Sequence, residues 1–172
     1  MSTVSDAVSD TARDAVRDLV ARQAICDVIH AYCRGVDTLD ADAVAALFTD
    51  DCVVDYGPGL GRPTHGSAAL AARLASGLPR FAATSHHVSN IEIELDRDAT
   101  SATAITYLLA WHRYPDDRPD AILYARYHDR FVLRDDGRRP TWLIAERVLR
   151  VAGQQGFDVE WYPIGRQNRN SS

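Results

Sequence analysis

HVSNIEIEL (His87–Leu95) begins an alternation of polar and apolar residues that continues through SATAITYLLAWHRY (Ser101–Tyr114), ILYARYHDRFVL (Ile122–Leu133) and TWLIAERVLRV (Thr141–Val151). A period of two, carried by β-branched and aromatic residues, predicts four long strands. The stretches between them are turn-forming: DRDA at 96–99, PDDRPD at 115–120 and RDDGRR at 134–139, whose Asp-Gly step signals a hairpin. Four such strands in succession predict an antiparallel meander.

The chain before Phe81 has a different period. From Asp10 to about Cys33, Val16, Leu19, Val20, Ile25, Val28, Ile29 and Tyr32 recur at helical spacing, with Asp10 or Thr11 available as a cap. Gly35 is expected to stop or bend this helix. DADAVAALF predicts a second, short helix running from an Asp40 cap to Phe48, and CVVDY (Cys52–Tyr56) a brief strand. GPGLGRP (57–63) reads as a loop, a flexible flap near a pocket mouth, and Ser67 to about Ser76 as a third helix. Helices followed by a meander give an α+β class, with helices packed on one face of a curved antiparallel sheet. One domain over residues 11–153 is expected, between a mobile N-terminus at 1–10 and a C-terminal extension and tail at 154–172.

Composition narrows the chemistry. All nineteen basic residues are Arg and none is Lys, so amine nucleophiles, Schiff bases and phosphate-loop lysines are excluded. A net charge of -5 without a basic stripe argues against nucleic acid as a partner. Cys26, Cys33 and Cys52 form no CxxC pair, which points to a reduced, cytoplasmic chain, and no apolar run is long enough for a membrane helix. GxSxG, HExxH and glycine fingerprints are absent, so neither a metal nor a cofactor is expected.

Two segments could carry chemistry. In AYCRGVDTLD, Asp37 stands just past Gly35, where it either points toward the sheet or caps the next helix. In TSHHVSN, His86 and His87 enter a strand, where neighbours face opposite ways, so one imidazole looks toward the helices and the other away. Strand parity puts Thr106, Leu108, Ala110 and His112 on one face, and Leu143, Ala145, Arg147 and Leu149 on one face of the last strand. Arg147 then either projects into a pocket or pairs with Glu146 or Asp129. Tyr124, Tyr127 and His128 line a cavity or fill core and surface. Cys33 reads as a small core residue. The same parity sends Trp111 and Trp142 outward, where an apolar face would suit a homo-oligomeric interface, dimeric or trimeric.

The order of elements, with RGVDTLD, LFTDDCVVDY and SHHVSN, resembles the SnoaL-like branch of the nuclear transport factor 2-like superfamily over roughly Val16 to Val151. Within it the chain is similar to the group containing scytalone dehydratase, bile-acid 7α-dehydratase and hexachlorocyclohexane dehydrochlorinase. The resemblance implies a cone-shaped α+β barrel and a cofactor-independent lyase or isomerase acting on a mostly apolar cyclic substrate such as a steroid, polyketide or terpenoid. It makes Asp37 and His86 a catalytic dyad, with His87 the outward neighbour and Tyr32 polarising a substrate oxygen. It sets Asn90, His112 and Arg147 at family positions, and these, with Tyr56 and Tyr124, are the expected substrate contacts. The same cone also hosts polyketide cyclases, epoxide hydrolases and the noncatalytic β subunits of ring-hydroxylating dioxygenases.

Overall fold

The computed structural model describes residues 3–137 and 139–165. The expected C-terminal tail from 166 onward lies outside the described residues. Among these residues three α-helices, α1 (Thr3–Asp37), α2 (Ala41–Ala45) and α3 (Ser67–Gly77), accompany six strands. These are β1 (Phe48–Asp55), β2 (Thr64–His65), β3 (Ala83–Leu95), β4 (Ser101–Arg113), β5 (Ala121–Arg134) and β6 (Thr141–Gln155). The sheet order is β2-β1-β6-β5-β4-β3, and the sheet is not closed, with β2 and β3 at its edges. The α+β class is the one expected. The sheet is mixed, however, because β1 runs parallel to β6, a pairing that a short apolar run does not announce.

Helix α1 starts at Thr3, ahead of the expected cap, and passes through Gly35. Its true end is two hydrogen bonds from Leu39 N–H to the Val36 carbonyl and from Asp40 N–H to the Gly35 carbonyl, with Leu39 left-handed at φ 60°. This is the Schellman arrangement, with leucine where glycine is usual. Gly35 instead admits α2: a β-carbon there would lie 2.6 Å from the Val44 Cγ2. Asp40 caps α2 as expected, its carboxylate accepting from the Ala43 N–H, but the helix is only five residues long and Phe48 already belongs to β1.

The core is formed by the inner face of α1 (Ile25, Ile29, Tyr32, Val36) against Leu108, Ala110, Leu123, Phe131, Ile144 and Leu149 of the sheet, with Leu70 and Leu74 of α3. Strand β4 holds its register without interruption from Ser101 to His112 against β5. Strand β6 does not: Ile144 pairs with Phe131 and Glu146 with Arg130, which leaves Ala145 as a bulge. The extra residue inverts the parity before it. Trp142 and Ile144 therefore join the core cluster, correcting the expectation that Trp142 faces outward, and Leu143 and Ala145 lie outside that cluster. Among the described residues no helix is long and apolar enough to cross a membrane.

Candidate functional site

The last turn of α1 carries Asp37 over the start of β3. A carboxylate there faces the negative end of the helix dipole, an unfavourable position unless donors compensate. Three do: Asp37 Oδ1 accepts from the Thr84 hydroxyl at 2.8 Å and bonds His86 Nδ1 at 2.7 Å, and Oδ2 accepts from the His86 backbone N–H at 2.9 Å. The last bond is available because β3 is an edge strand, whose outward N–H groups have no ladder partner. Burial pushes the Asp37 carboxyl up, but the His86 side-chain and backbone hydrogen bonds, the imidazole charge and Thr84 outweigh it, so the net shift is downward. The His86 side chain is 7% exposed and lines a cavity of about 400 Å³. His87, one residue on, is exposed and bonds Ser85.

Around the cavity stand Tyr32, Tyr56, His112 and Tyr127, with Val36, Leu74, Leu108, Ala110 and Leu149 supplying apolar wall. The Tyr32 and Tyr56 hydroxyls are 2.8 Å apart, so one donates to the other and one proton is left to offer. Burial, followed by the neighbouring Tyr32, raises the Tyr56 phenol far above its ordinary range. His112 follows Leu108 and Ala110 on the inner face of β4, whose register against β5 is unbroken up to it. Phe81 and Phe157 pack against its ring at 4.6 and 5.2 Å between centroids. Burial, then the charge of His86, lowers it to about 4. Its Nδ1 is buried with no hydrogen-bond partner.

Three of the expected substrate contacts lie elsewhere. Arg147 is fully buried behind the cavity wall, its Nε and Nη2 gripping the two Asp129 oxygens at 2.8 and 2.7 Å and its guanidinium 4.0 Å from the ring centres of both Tyr32 and Tyr127. Aromatic stacking and a buried carboxylate hold it there, so it backs Tyr32 and is not among the lining residues. Tyr124 alternates with Leu123 and Ala125 along β5 and is 43% exposed on the opposite face. Asn90 is also exposed, at a bulge between the Ser89–Tyr107 and Glu92–Ile105 pairs, where it and Ile91 stand opposite Thr106. Its φ of 46° explains why an asparagine sits there.

Other wall residues leave little trace in the sequence. Parity alone leaves Tyr127 open between cavity and core, and the structure puts its ring in the wall. Arg73 and Arg80 come from α3 and the turn after it, and Phe157 and Trp161 from the segment following β6. For Arg73 the available signal is its place beside the Leu70 and Leu74 stripe. Phe157 and Trp161 have none, because their stretch has no regular period. GPGLGRP does border the cavity through Leu60, yet it is tied down: the Gly59 N–H donates to the Glu160 carbonyl at 2.9 Å. Cys33 is buried in the core, and its thiol is pushed up to about 11, mainly by burial. Among the described residues no three His, Cys, Asp or Glu side chains are grouped to hold a metal ion.

The sequence pattern of the SnoaL-like domain matches residues 12–148. Among solved structures, a scytalone dehydratase-like protein of Novosphingobium aromaticivorans is 35% identical with a TM-score of 0.80, covering 90% of this chain and 99% of that one. Hexachlorocyclohexane dehydrochlorinase LinA-type3 of Novosphingobium barchaimii is 19% identical with a TM-score of 0.71, covering 88% and 99%. ActVI-ORFA of Streptomyces coelicolor is 22% identical with a TM-score of 0.62, covering 76% and 96%. The latter two likenesses show the fold alone. No curated protein matches the chain.

Proposed function

Because the chain belongs to the SnoaL-like domain family of the nuclear transport factor 2-like superfamily, we propose that it is a cofactor-independent lyase of the dehydratase type, or a related isomerase, acting on a mostly apolar cyclic substrate. The observation that carries this reading is the 2.7 Å bond between Asp37 Oδ1 and His86 Nδ1 at the wall of the cavity.

Asp37, held by its other two donors, fixes the imidazole so that Nδ1 carries the proton and Nε2 offers its lone pair. His86 Nε2 takes a proton from the carbon next to a substrate carbonyl. The C–H electron pair moves toward the carbonyl oxygen, which the Tyr32 and Tyr56 pair hydrogen-bonds. Collapse of that enolate breaks the C–O bond at the β carbon, and the departing hydroxide takes the proton back from His86 as water. One well-placed donor to the oxyanion is worth about 3 to 4 kcal/mol. His112, neutral and with a buried unpaired nitrogen, supplies a further polar contact to the substrate. Without departure of the hydroxyl, the same proton transfer gives an isomerase.

The test is a panel of cyclic β-hydroxy ketones, scytalone among them, followed by the ultraviolet absorbance of the enone and by deuterium uptake in heavy water. Turnover that falls by about 10²-fold or more in His86→Ala and in Asp37→Asn supports the reading. Unchanged turnover in both folded variants sinks it.

A further inference from the structure

We infer that the substrate carries a carboxylate, and that Arg73 and Arg80 at the cavity mouth bind it. This rests on the lyase reading only for the cavity being the substrate site. Exposure runs along the cavity in one direction: Tyr32, Leu108, Ala110 and Leu149 are buried, Arg73 is half-buried, and Ser76 and Arg80 are open to solvent. The α3 end of the cavity is therefore its mouth, and its two charged lining residues are both cations. No Asp or Glu lines the cavity among the described residues.

Among the described residues neither of these two arginines is paired with a carboxylate of the protein itself, a state they share with several others, but they are the ones that line the cavity. In a chain with 24 acidic residues against 19 basic, Arg17, Arg113, Arg118, Arg130 and Arg147 each pair with a carboxylate. Among the described residues, Arg73 and Arg80 have none. Arg73 gives Nη1 to the Arg62 carbonyl and the Thr64 hydroxyl and Nη2 to the Leu60 carbonyl, at 3.2, 2.8 and 2.8 Å. These bonds fix the guanidinium, and its ring contact with Tyr56 at 5.2 Å points the same way. Of its five N–H donors, Nε–H and one on Nη2 are left without an acceptor among the described residues. Nε together with Nη2 is the combination by which Arg147 grips Asp129 and Arg130 grips Glu146 in this same molecule. Among the described residues Arg80 bonds only the Gly77 carbonyl, through Nε, and neither terminal nitrogen has an acceptor. A held guanidinium with Nε–H and one Nη2 hydrogen still free to donate, and a second cation lining the same mouth of an apolar cavity, suit a carboxylate on an apolar ring body.

Isothermal titration with 2-naphthylacetate and with 2-(2-naphthyl)ethanol, which share a ring body and differ in charge, tests this. The carboxylate is expected to bind at least about tenfold more tightly at low ionic strength, with the difference shrinking as salt is added. Arg73→Gln should abolish the preference. Arg80→Gln, an exposed substitution that leaves the fold intact, should reduce it several-fold. Equal or tighter binding of the alcohol, no carboxylate binding at millimolar concentration, or a preference untouched by Arg80→Gln overturns the inference. The same titration in His86→Ala separates the two readings. A preference retained there supports the mouth site whatever becomes of turnover, and a wild type without preference removes the mouth site while leaving the His86 reading standing.

Discussion

The rings of His86 and His112 stand edge to face, their centroids 5.4 Å apart and their planes at 79°. Both line the cavity, but only His86 has a carboxylate behind it. A positive charge on His86 is met by Asp37, whereas one on His112 would meet phenylalanines and a neighbouring imidazole. On the function proposed above the two rings have different tasks, His86 taking a proton and His112 staying neutral.

The neutral ring has a cost in acid. His112 titrates near 6.5 when unfolded and is lowered to about 4 when folded, so between these values the unfolded chain binds more protons and stability falls as the pH is lowered. The loss attributable to His112 is absent above pH 6.5 and grows to about 3 kcal/mol near pH 4. Urea melts of wild type and His112→Phe across this range check it: the variant should show the shallower decline.

Asp37 acts on a lower window. Its folded value is depressed, so its stabilising contribution is fully present above the ordinary Asp value of about 4 and is lost as pH falls through the folded value. The stability gap between wild type and Asp37→Asn should therefore be open at about pH 5 and close below about pH 4. A gap that persists into strong acid would assign the effect to packing.

Behind Tyr32, the Arg147 and Asp129 side chains are both 0% exposed. Removing one partner leaves a buried charge, and Arg147→Met or Asp129→Leu alone should cost about 3–5 kcal/mol. The double substitution should cost far less than the sum of the two, since no charge remains to be stranded. Denaturant titration of the three variants reads this coupling directly.

The loop at the cavity edge depends on one close approach. A β-carbon at Gly59 would lie 2.5 Å from the backbone nitrogen of Glu160 and 2.6 Å from its oxygen. Gly59→Ala should push the segment bearing Phe157 and Trp161 away from the cavity. Faster proteolysis within that segment and a red-shifted tryptophan emission are the expected signs, with Gly61→Ala, which is strained but meets no atom within 4 Å, as the comparison.

The helices and the long strands were legible because period and parity hold wherever a strand is regular, and parity grouped His112 with Leu108 and Ala110 without saying which face was inward. Period and parity failed where one residue was inserted or a cap was unusual. The bulge at Ala145 turned Trp142 inward, and the left-handed Leu39 carried α1 past Gly35 to Asp37. Asp37 and His86 were separable as candidates, but their contact depends on an edge strand offering its N–H, which no spacing encodes. Arg147 was legible as an unusual arginine with Asp129 among its possible partners, and that pairing is the one formed; that two tyrosine rings would seal it off was not.

The most direct test needs no substrate. Long-range proton–nitrogen correlation of labelled protein at about pH 8.5, well above the ordinary His range, reports which ring nitrogen of His86 carries the proton. A protonated Nδ1 with an unprotonated Nε2, a preference weakened in Asp37→Asn, is the expected result. A proton on Nε2, with Nδ1 accepting, would contradict the assignment of His86 as the base held by Asp37.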